Sequence, residues 1–107
     1  MKIILTGYSG FIGTYFLKYL SKAKSFDIHL LGRTKINKHK FHYWDLDKKD
    51  ISEKFLLNSE ILFHFASIAH TSEKNINNFY KKLINNNYNS TKYLAEMSLK
   101  SNVKKFI

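Results

Sequence analysis

The sequence contains no cysteine and no proline, and only four of its 107 residues are glycine. Without cysteine the chain can form neither disulfides nor thiolate metal sites, a composition that suits a cytoplasmic protein. Without proline one kind of sharp break is missing, so the ends of helices and strands are harder to place. No apolar run approaches the ~20 residues of a membrane span, and no signal peptide is visible. We therefore expect no membrane partner.

Acidic residues are also scarce: 8 Asp and Glu stand against 18 Lys and Arg, which gives a net charge of +10. Such a charge raises the alternative of a basic nucleic-acid-binding module. All the basic residues except Arg33 are lysines, however, and they are scattered along the whole chain. This scatter favours a solvated surface, and we expect no nucleic-acid partner.

Apolar patterning predicts strands that alternate with helices. The strands are predicted at residues 2–6, 27–31, 41–44, 61–65 and 103–107, and the helices at residues 11–24, 51–57 and 75–100. On the first helix the apolar face is predicted to hold Ile12, Phe16, Tyr19, Leu20 and Ala23. This alternation predicts right-handed crossovers and a parallel sheet within one α/β domain, residues 1–107.

Three glycines follow the first strand at intervals of three residues, and a helix begins among them. Gly7 allows a sharp turn, where a positive φ is needed. Gly10 lacks a Cβ, so that a pyrophosphate can approach the backbone, and Gly13 lets the helix pack closely on the strand. The free N–H groups at the helix N-terminus favour an anionic ligand. This region therefore predicts a nucleotide site, although glycines after a strand also serve plain tight turns.

The spacing Thr6-Gly7-x-x-Gly10-x-x-Gly13 resembles the short-chain dehydrogenase/reductase superfamily, and Gly10-Phe11-Ile12-Gly13 is similar to its extended branch, the NAD-dependent epimerase/dehydratase family. The resemblance implies a Rossmann-like doubly wound parallel sheet, truncated here, with about five strands in the order 3-2-1-4-5. It also implies that a dinucleotide cofactor is bound by Thr6, Gly7, Ser9, Gly10, Phe11, Ile12 and Gly13. No Gly-Lys-Ser/Thr follows the strand, which excludes a P-loop.

The end of the second strand bears on which cofactor binds. A carboxylate there would hold a ribose 2′-hydroxyl, but Leu31 is followed by Gly32 and Arg33. A guanidinium group suits a 2′-phosphate, so Arg33 indicates NADP in preference to NAD. The alternative is an ordinary solvated loop residue.

Two further segments match the family pattern. Asp45-Leu46 is similar to the pair that contacts adenine, and His64-Phe65-Ala66-Ser67 resembles the family's His-Leu-Ala-Ala segment. The resemblance implies dinucleotide contacts for Asp45, Leu46, Phe65, Ala66 and Ser67. We expect a structural role for His64, and His70 is a candidate on the substrate side.

The long helix carries a third match. Asn87-x-x-x-Thr91 looks like the family's Asn-x-x-Gly-Thr helix, with Ser90 in place of glycine. In the family this asparagine supports the wall of the active site, and we include Asn87 among the cofactor-binding residues. The alternative is an amide that only ties the helix to the sheet.

The family also needs a catalytic Tyr-x-x-x-Lys, which by the resemblance would fall beyond Ile107. We therefore expect no catalytic residue here and read the chain as the N-terminal part of a longer enzyme. The full-length form would act on a nucleotide-sugar partner, with polysaccharide biosynthesis as the implied setting and a homodimer as the implied assembly. A non-catalytic NADP-binding sensor on the same fold is the main alternative.

Overall fold

The computed structural model describes residues 1–69 and 72–107. Its sheet has five strands, β1 (Lys2–Thr6), β2 (Asp27–Gly32), β3 (Lys40–Tyr43), β4 (Ile61–His64) and β5 (Lys105–Phe106). All neighbouring strands pair in parallel, in the order β3-β2-β1-β4-β5. This confirms the doubly wound α/β fold and the strand order.

The helices are α1 (Phe11–Leu20), α2 (Glu53–Leu56), α3 (Ile76–Leu83) and α4 (Ser90–Lys100). A π-helical turn, Ile84–Asn89, joins α3 to α4, so the predicted long helix is present but is locally widened. The Asn75 side chain caps its start by accepting from the N–H groups of Asn77 and Asn78. None of the helices in the described part of the chain is long and apolar enough to cross a bilayer.

The central strand β1 is buried on both faces, as its apolar run Ile3-Ile4-Leu5 requires. Successive side chains of a strand point to opposite faces, so β1 contributes to two separate cores. On the α1 side, Ile3 and Leu5 pack with Tyr8, Leu17, Leu20, Ile28 and Leu30. On the other side, Ile4 packs with Leu31, Trp44, Ile51, Leu56, Leu62, Leu94 and Met97.

The predicted apolar face of α1 was partly wrong. Ile12 and Tyr19 are 65% and 72% exposed, and the buried residues are Gly13, Leu17 and Leu20. The reason is tertiary: Gly13 packs against the backbone of Gly7 and Tyr8, which turns positions 13, 17 and 20 toward the sheet. The helix also ends four residues early, in tight turns from Lys22 N–H to Tyr19 and from Ala23 N–H to Leu20.

The apolar residues that recur at helical spacing from Ile76 to Ser98 predict one continuous buried stripe along the long helix, but only its second half is buried. Leu94 and Ser98 are buried, together with Met97. In the first half Phe79 and Leu83 are only partly buried, and four large side chains are more than half exposed: Ile76, Tyr80, Ile84 and Tyr88. The stripe has regular helical spacing throughout, yet only α4 is packed on α2 and the sheet core. Periodicity identifies the face of a helix but not whether another element covers it.

Candidate functional site

The loop between β1 and α1 brings a free helix N-terminus to the carboxyl end of the sheet. Gly7 has φ of +66°, the left-handed conformation that glycine adopts without strain. The Gly10 N–H donates to the Gly7 carbonyl at 3.1 Å, and the Thr14 N–H donates to the Gly10 carbonyl at 2.9 Å. No side chain of the described residues caps the helix start at Gly10. The first N–H groups of α1 are thus available to a ligand.

Each of the three glycines has a different neighbourhood. A Cβ at Gly7 would lie 2.7 Å from the Phe65 carbonyl oxygen, and one at Gly13 would lie 2.7 Å from Tyr8 Cα, so both positions exclude any side chain. A Cβ at Gly10 would meet only the Gly7 carbonyl oxygen, at 3.3 Å, among the described atoms. Gly7 and Gly13 are therefore required by the protein's own packing, whereas the space at Gly10 is open to a ligand.

A cleft of about 240 Å³ opens beside this loop, at the carboxyl ends of the parallel strands. In doubly wound sheets this edge, where the strand order changes direction, is the usual ligand-binding position. The cleft contains most of the residues proposed from the sequence: Gly7, Ser9, Gly10, Arg33, Asp45, Leu46, Phe65, Ala66 and Ser67. Four separate segments of the chain meet there.

Five proposed residues do not line the cleft: Thr6, Phe11, Ile12, Gly13 and Asn87. Thr6 and Gly13 are buried beneath it, and the side chains of Phe11 and Ile12 are exposed on the first turn of α1. Thr6 and Gly13 therefore support the cleft, and Phe11 and Ile12 can reach a ligand there through their N–H groups. His70 lies outside the described residues.

One side of the cleft is formed by the ends of β2 and β3. Gly32 ends β2, and the Trp44 N–H donates to its carbonyl at 2.9 Å. Arg33 is exposed, and within residues 1–69 and 72–107 its guanidinium has no hydrogen-bond or ion-pair partner. The Asp45 side chain accepts from the Leu46 N–H at 2.9 Å through Oδ1. This side therefore offers a free cation and a carboxylate that is held in place.

A buried hydrogen-bond network supports the opposite side. His64 lies between two threonine hydroxyls, with Nδ1 2.7 Å from Thr6 Oγ1 and Nε2 2.9 Å from Thr91 Oγ1. The Ala66 N–H also donates to Thr6 Oγ1, at 3.2 Å. A neutral imidazole has one N–H and one lone pair, so one threonine donates to it and the other accepts. The structural role expected of His64 is confirmed: it joins β1, β4 and α4.

Asn87 holds the segment that follows β4. Its amide accepts from the Ile68 N–H at 2.7 Å and donates to the Ile68 carbonyl at 2.8 Å, so both ends of the side chain are satisfied by one residue. The amide thus ties the helix to the wall of the cleft. This agrees with a residue that supports the wall of an active site and also with an amide that only ties the helix to the sheet. A direct cofactor contact by Asn87 remains a prediction.

Seven residues that line the cleft were not predicted from the sequence: Tyr8, Leu31, Gly32, Thr34, Trp44, Ile68 and Asn86. The signal for Tyr8 was a large aromatic residue inside a loop of small ones. Asn86 had no distinctive signal, because it lies in a run of three asparagines; in the structure this run belongs to the π-helical turn. π-Turns inside α-helices are frequent at functional sites.

One Tyr-x-x-x-Lys does lie within the chain, although by the resemblance the catalytic pair would fall beyond Ile107. Tyr88 and Lys92 have this spacing. They belong to the long helix before β5, not to one after it, and Tyr88 is 66% exposed. Neither residue lines the cleft. Among the described residues there is also no group of three His, Asp or Glu that could hold a metal ion.

Comparison with known proteins identifies the family. The sequence model of the NAD dependent epimerase/dehydratase family matches residues 3–107. The chain belongs to this family. A search of curated proteins found no match to this chain.

Solved structures share the fold. A UDP-glucose 4-epimerase from Thermotoga maritima superposes with a TM-score of 0.77 at 23% identity, over 99% of this chain and 36% of its own. A UDP-Glc/GlcNAc 4-epimerase from Campylobacter jejuni gives 0.76 at 26% identity, over 98% and 35%. A UDP-glucuronic acid 4-epimerase mutant from Bacillus cereus, in complex with a fluorinated UDP-sugar and NAD, gives 0.75 at 24% identity, over 99% and 38%. The chain thus spans little more than a third of each.

The His64 network predicts that stability depends on pH. Burial lowers the pKa of His64 to about 4 from its ordinary 6.5, because the charged ring is poorly solvated there. The unfolded chain therefore binds a proton in a range where the folded chain does not, and stability should fall as pH drops from about 6.5 to about 4, by at most about 3 kcal/mol. Urea unfolding across this range measures the loss.

His64→Gln removes the titrating ring and should flatten part of this slope. The remainder has the same sign, because burial also lowers the pKa of His29. An equal slope in the wild type and in His64→Gln would contradict the assignment.

Proposed function

We propose that the chain binds a nicotinamide dinucleotide in the cleft, as the cofactor-binding domain of a nucleotide-sugar epimerase, dehydratase or reductase. The observation that carries this proposal is the open space at Gly10 beside the uncapped start of α1. A pyrophosphate needs a close backbone approach and unpaired N–H groups, and both are present at this point. Family membership and the position of the cleft support the same ligand.

The residues around the cleft suggest how such a ligand would be held. The N–H groups at the start of α1 suit the pyrophosphate, Arg33 and Asp45 suit the adenosine half, and Ala66 and Ser67 leave room for the chain of the dinucleotide. When bound, the cofactor supplies hydride transfer. The residues of this chain bind and orient it, and the Thr6–His64–Thr91 network keeps the β4 side of the cleft in position.

We further propose that NADP is preferred. Arg33 is a free cation at the cleft, and the end of β2 carries Gly32 where a carboxylate would favour the ribose 2′-hydroxyl of NAD. The Bacillus cereus relative is described with NAD, so this preference is a property proposed for this chain and not taken from that structure.

A nucleotide-sugar substrate is proposed because the similar epimerases named above act on or bind UDP-sugars. The substrate itself would meet parts of the enzyme that correspond to the remaining two-thirds of those chains. A role in polysaccharide biosynthesis and a homodimeric full-length form belong to the same proposal and rest on family resemblance.

Substitution of Gly10 tests the pyrophosphate position. The backbone at Gly10 has φ of −79° and ψ of 178°, which any residue adopts. Gly10→Ala and Gly10→Val should therefore both fold, with a shift of a few tenths of an ångström at the Gly7 carbonyl oxygen, which lies 3.3 Å from the new Cβ. Their side chains would enter the ligand's space, and we expect Val to weaken NADPH and NADH at least about tenfold and Ala to weaken them less. Fluorescence titration of both cofactors measures this, with circular dichroism as the folding control. Unchanged affinities in Gly10→Val would remove the assignment.

Arg33→Ala tests cofactor preference. Loss of a charged hydrogen bond to a phosphate should weaken NADPH roughly ten- to a hundredfold and leave NADH nearly unchanged. Lys35→Ala is the matched control, because it removes the same charge from the same loop at a residue that does not line the cleft. Titrations at one fixed ionic strength compare the variants. A preference for NADPH that survives Arg33→Ala would sink the idea.

A further inference from the structure

Tyr8 is a large side chain in a loop otherwise built for close approach, and it is only 2% exposed. Its ring lies against Gly32, the last residue of β2. A Cβ built at Gly32 would lie 2.9 Å from Tyr8 Cε1, 3.0 Å from the phenolic oxygen and 3.2 Å from Cζ. The ring therefore occupies the space that a side chain at position 32 would need.

The phenolic group of Tyr8 makes a second contact on the same side of the cleft. It donates to the Thr34 carbonyl at 2.5 Å. The Gly32 carbonyl is held in turn by the Trp44 N–H at 2.9 Å. Both neighbours of Arg33 are thus fixed through their carbonyl groups, while the Arg33 side chain extends from a turn whose backbone is held at each end.

These two contacts lie at the strand end that distinguishes NAD from NADP in doubly wound folds. Position 32 ends β2, about 20 residues after the glycine loop, where a carboxylate would hydrogen-bond the ribose of NAD. The Tyr8 ring excludes that carboxylate, and the Tyr8 hydroxyl holds the turn that carries the guanidinium. Asp45 is the one acidic residue among the described residues that line the cleft, and its Oδ1 is engaged by the Leu46 N–H.

We propose that Tyr8 is a positioning residue for cofactor selection. Its ring keeps position 32 free of any side chain, and its hydroxyl orders the Arg33 turn toward a 2′-phosphate. This inference rests on the proposed dinucleotide function. It adds Tyr8, which lies outside β2, to Gly32 and Arg33 as a determinant of the preference for NADP over NAD.

Tyr8→Phe isolates the hydroxyl. The ring remains, so position 32 stays blocked, but the Thr34 carbonyl loses its partner and the Arg33 turn is less ordered. We expect NADPH affinity to fall about three- to tenfold, in line with one lost hydrogen bond, while NADH affinity is unchanged. Tyr19→Phe is the matched control, because that phenol is 72% exposed on α1 and does not line the cleft. Equal losses for NADPH and NADH, or no loss, would overturn this arm.

A double-substitution cycle isolates the ring. Gly32→Asp alone should lower Tm and should not improve NADH binding, because the new side chain collides with Tyr8. In a Tyr8→Ala background the same Gly32→Asp change should fit, raise NADH affinity about tenfold and reverse the preference. The cycle is read in both Tm and the ratio of the two affinities.

The outcomes distinguish a failure of the inference about Tyr8 from a failure of the proposed function. Strong non-additivity in Tm and in the affinity ratio supports the inference. Additive effects of Tyr8→Ala and Gly32→Asp, with a wild type that binds NADPH, overturn the inference and leave the proposed function standing. A wild type that binds neither dinucleotide overturns the proposed function, and the inference with it. If Tyr8→Ala does not fold, the Tyr8→Phe comparison decides.

Discussion

Contact between backbones at Gly7 and Gly13 is the constraint on which the rest of this structure depends. Gly7 meets the backbone of Phe65 and Ala66 after β4, and Gly13 meets the backbone of Gly7 and Tyr8. A side chain at either glycine would separate β1 from β4 or lift α1 from the sheet. The same contacts direct the start of α1 toward the cleft and turn Leu17 and Leu20 into the core. The packing of the core and the shape of the cleft thus have one common cause.

Polar contacts hold the wall that these glycines leave beside the cleft. Residues 65–69, which follow β4, have no regular structure, so their backbone groups need partners from elsewhere. Thr6 supplies one through the Ala66 N–H, and Asn87 supplies two at Ile68. His64 connects this arrangement to the helix through Thr91. Because buried polar groups are costly when unpaired, the network orders the wall as well as stabilising it.

The opposite wall is governed by sterics and charge together. Tyr8 and Gly32 share one space, so a large residue in the loop is compatible only with the smallest residue at the strand end. Arg33 extends from this point as a free cation within the described part of the chain. A side chain at position 32 would therefore also require a smaller residue at position 8.

Strand periodicity and glycine spacing predicted a parallel α/β sheet and the glycine loop, because both are local patterns with direct physical meaning. The strand order and most of the cleft residues were implied by the resemblance to the family. The sequence also indicated Arg33, Asp45 and Asn87 as the polar residues to examine. The tertiary structure alone decided three matters. The face that α1 buries follows from the contact of Gly13, Asn86 lines the cleft from within the π-turn, and the Tyr8 ring packs against Gly32. Each depends on residues far apart in the chain or on a local departure from regular helix, which residue spacing along one chain does not encode.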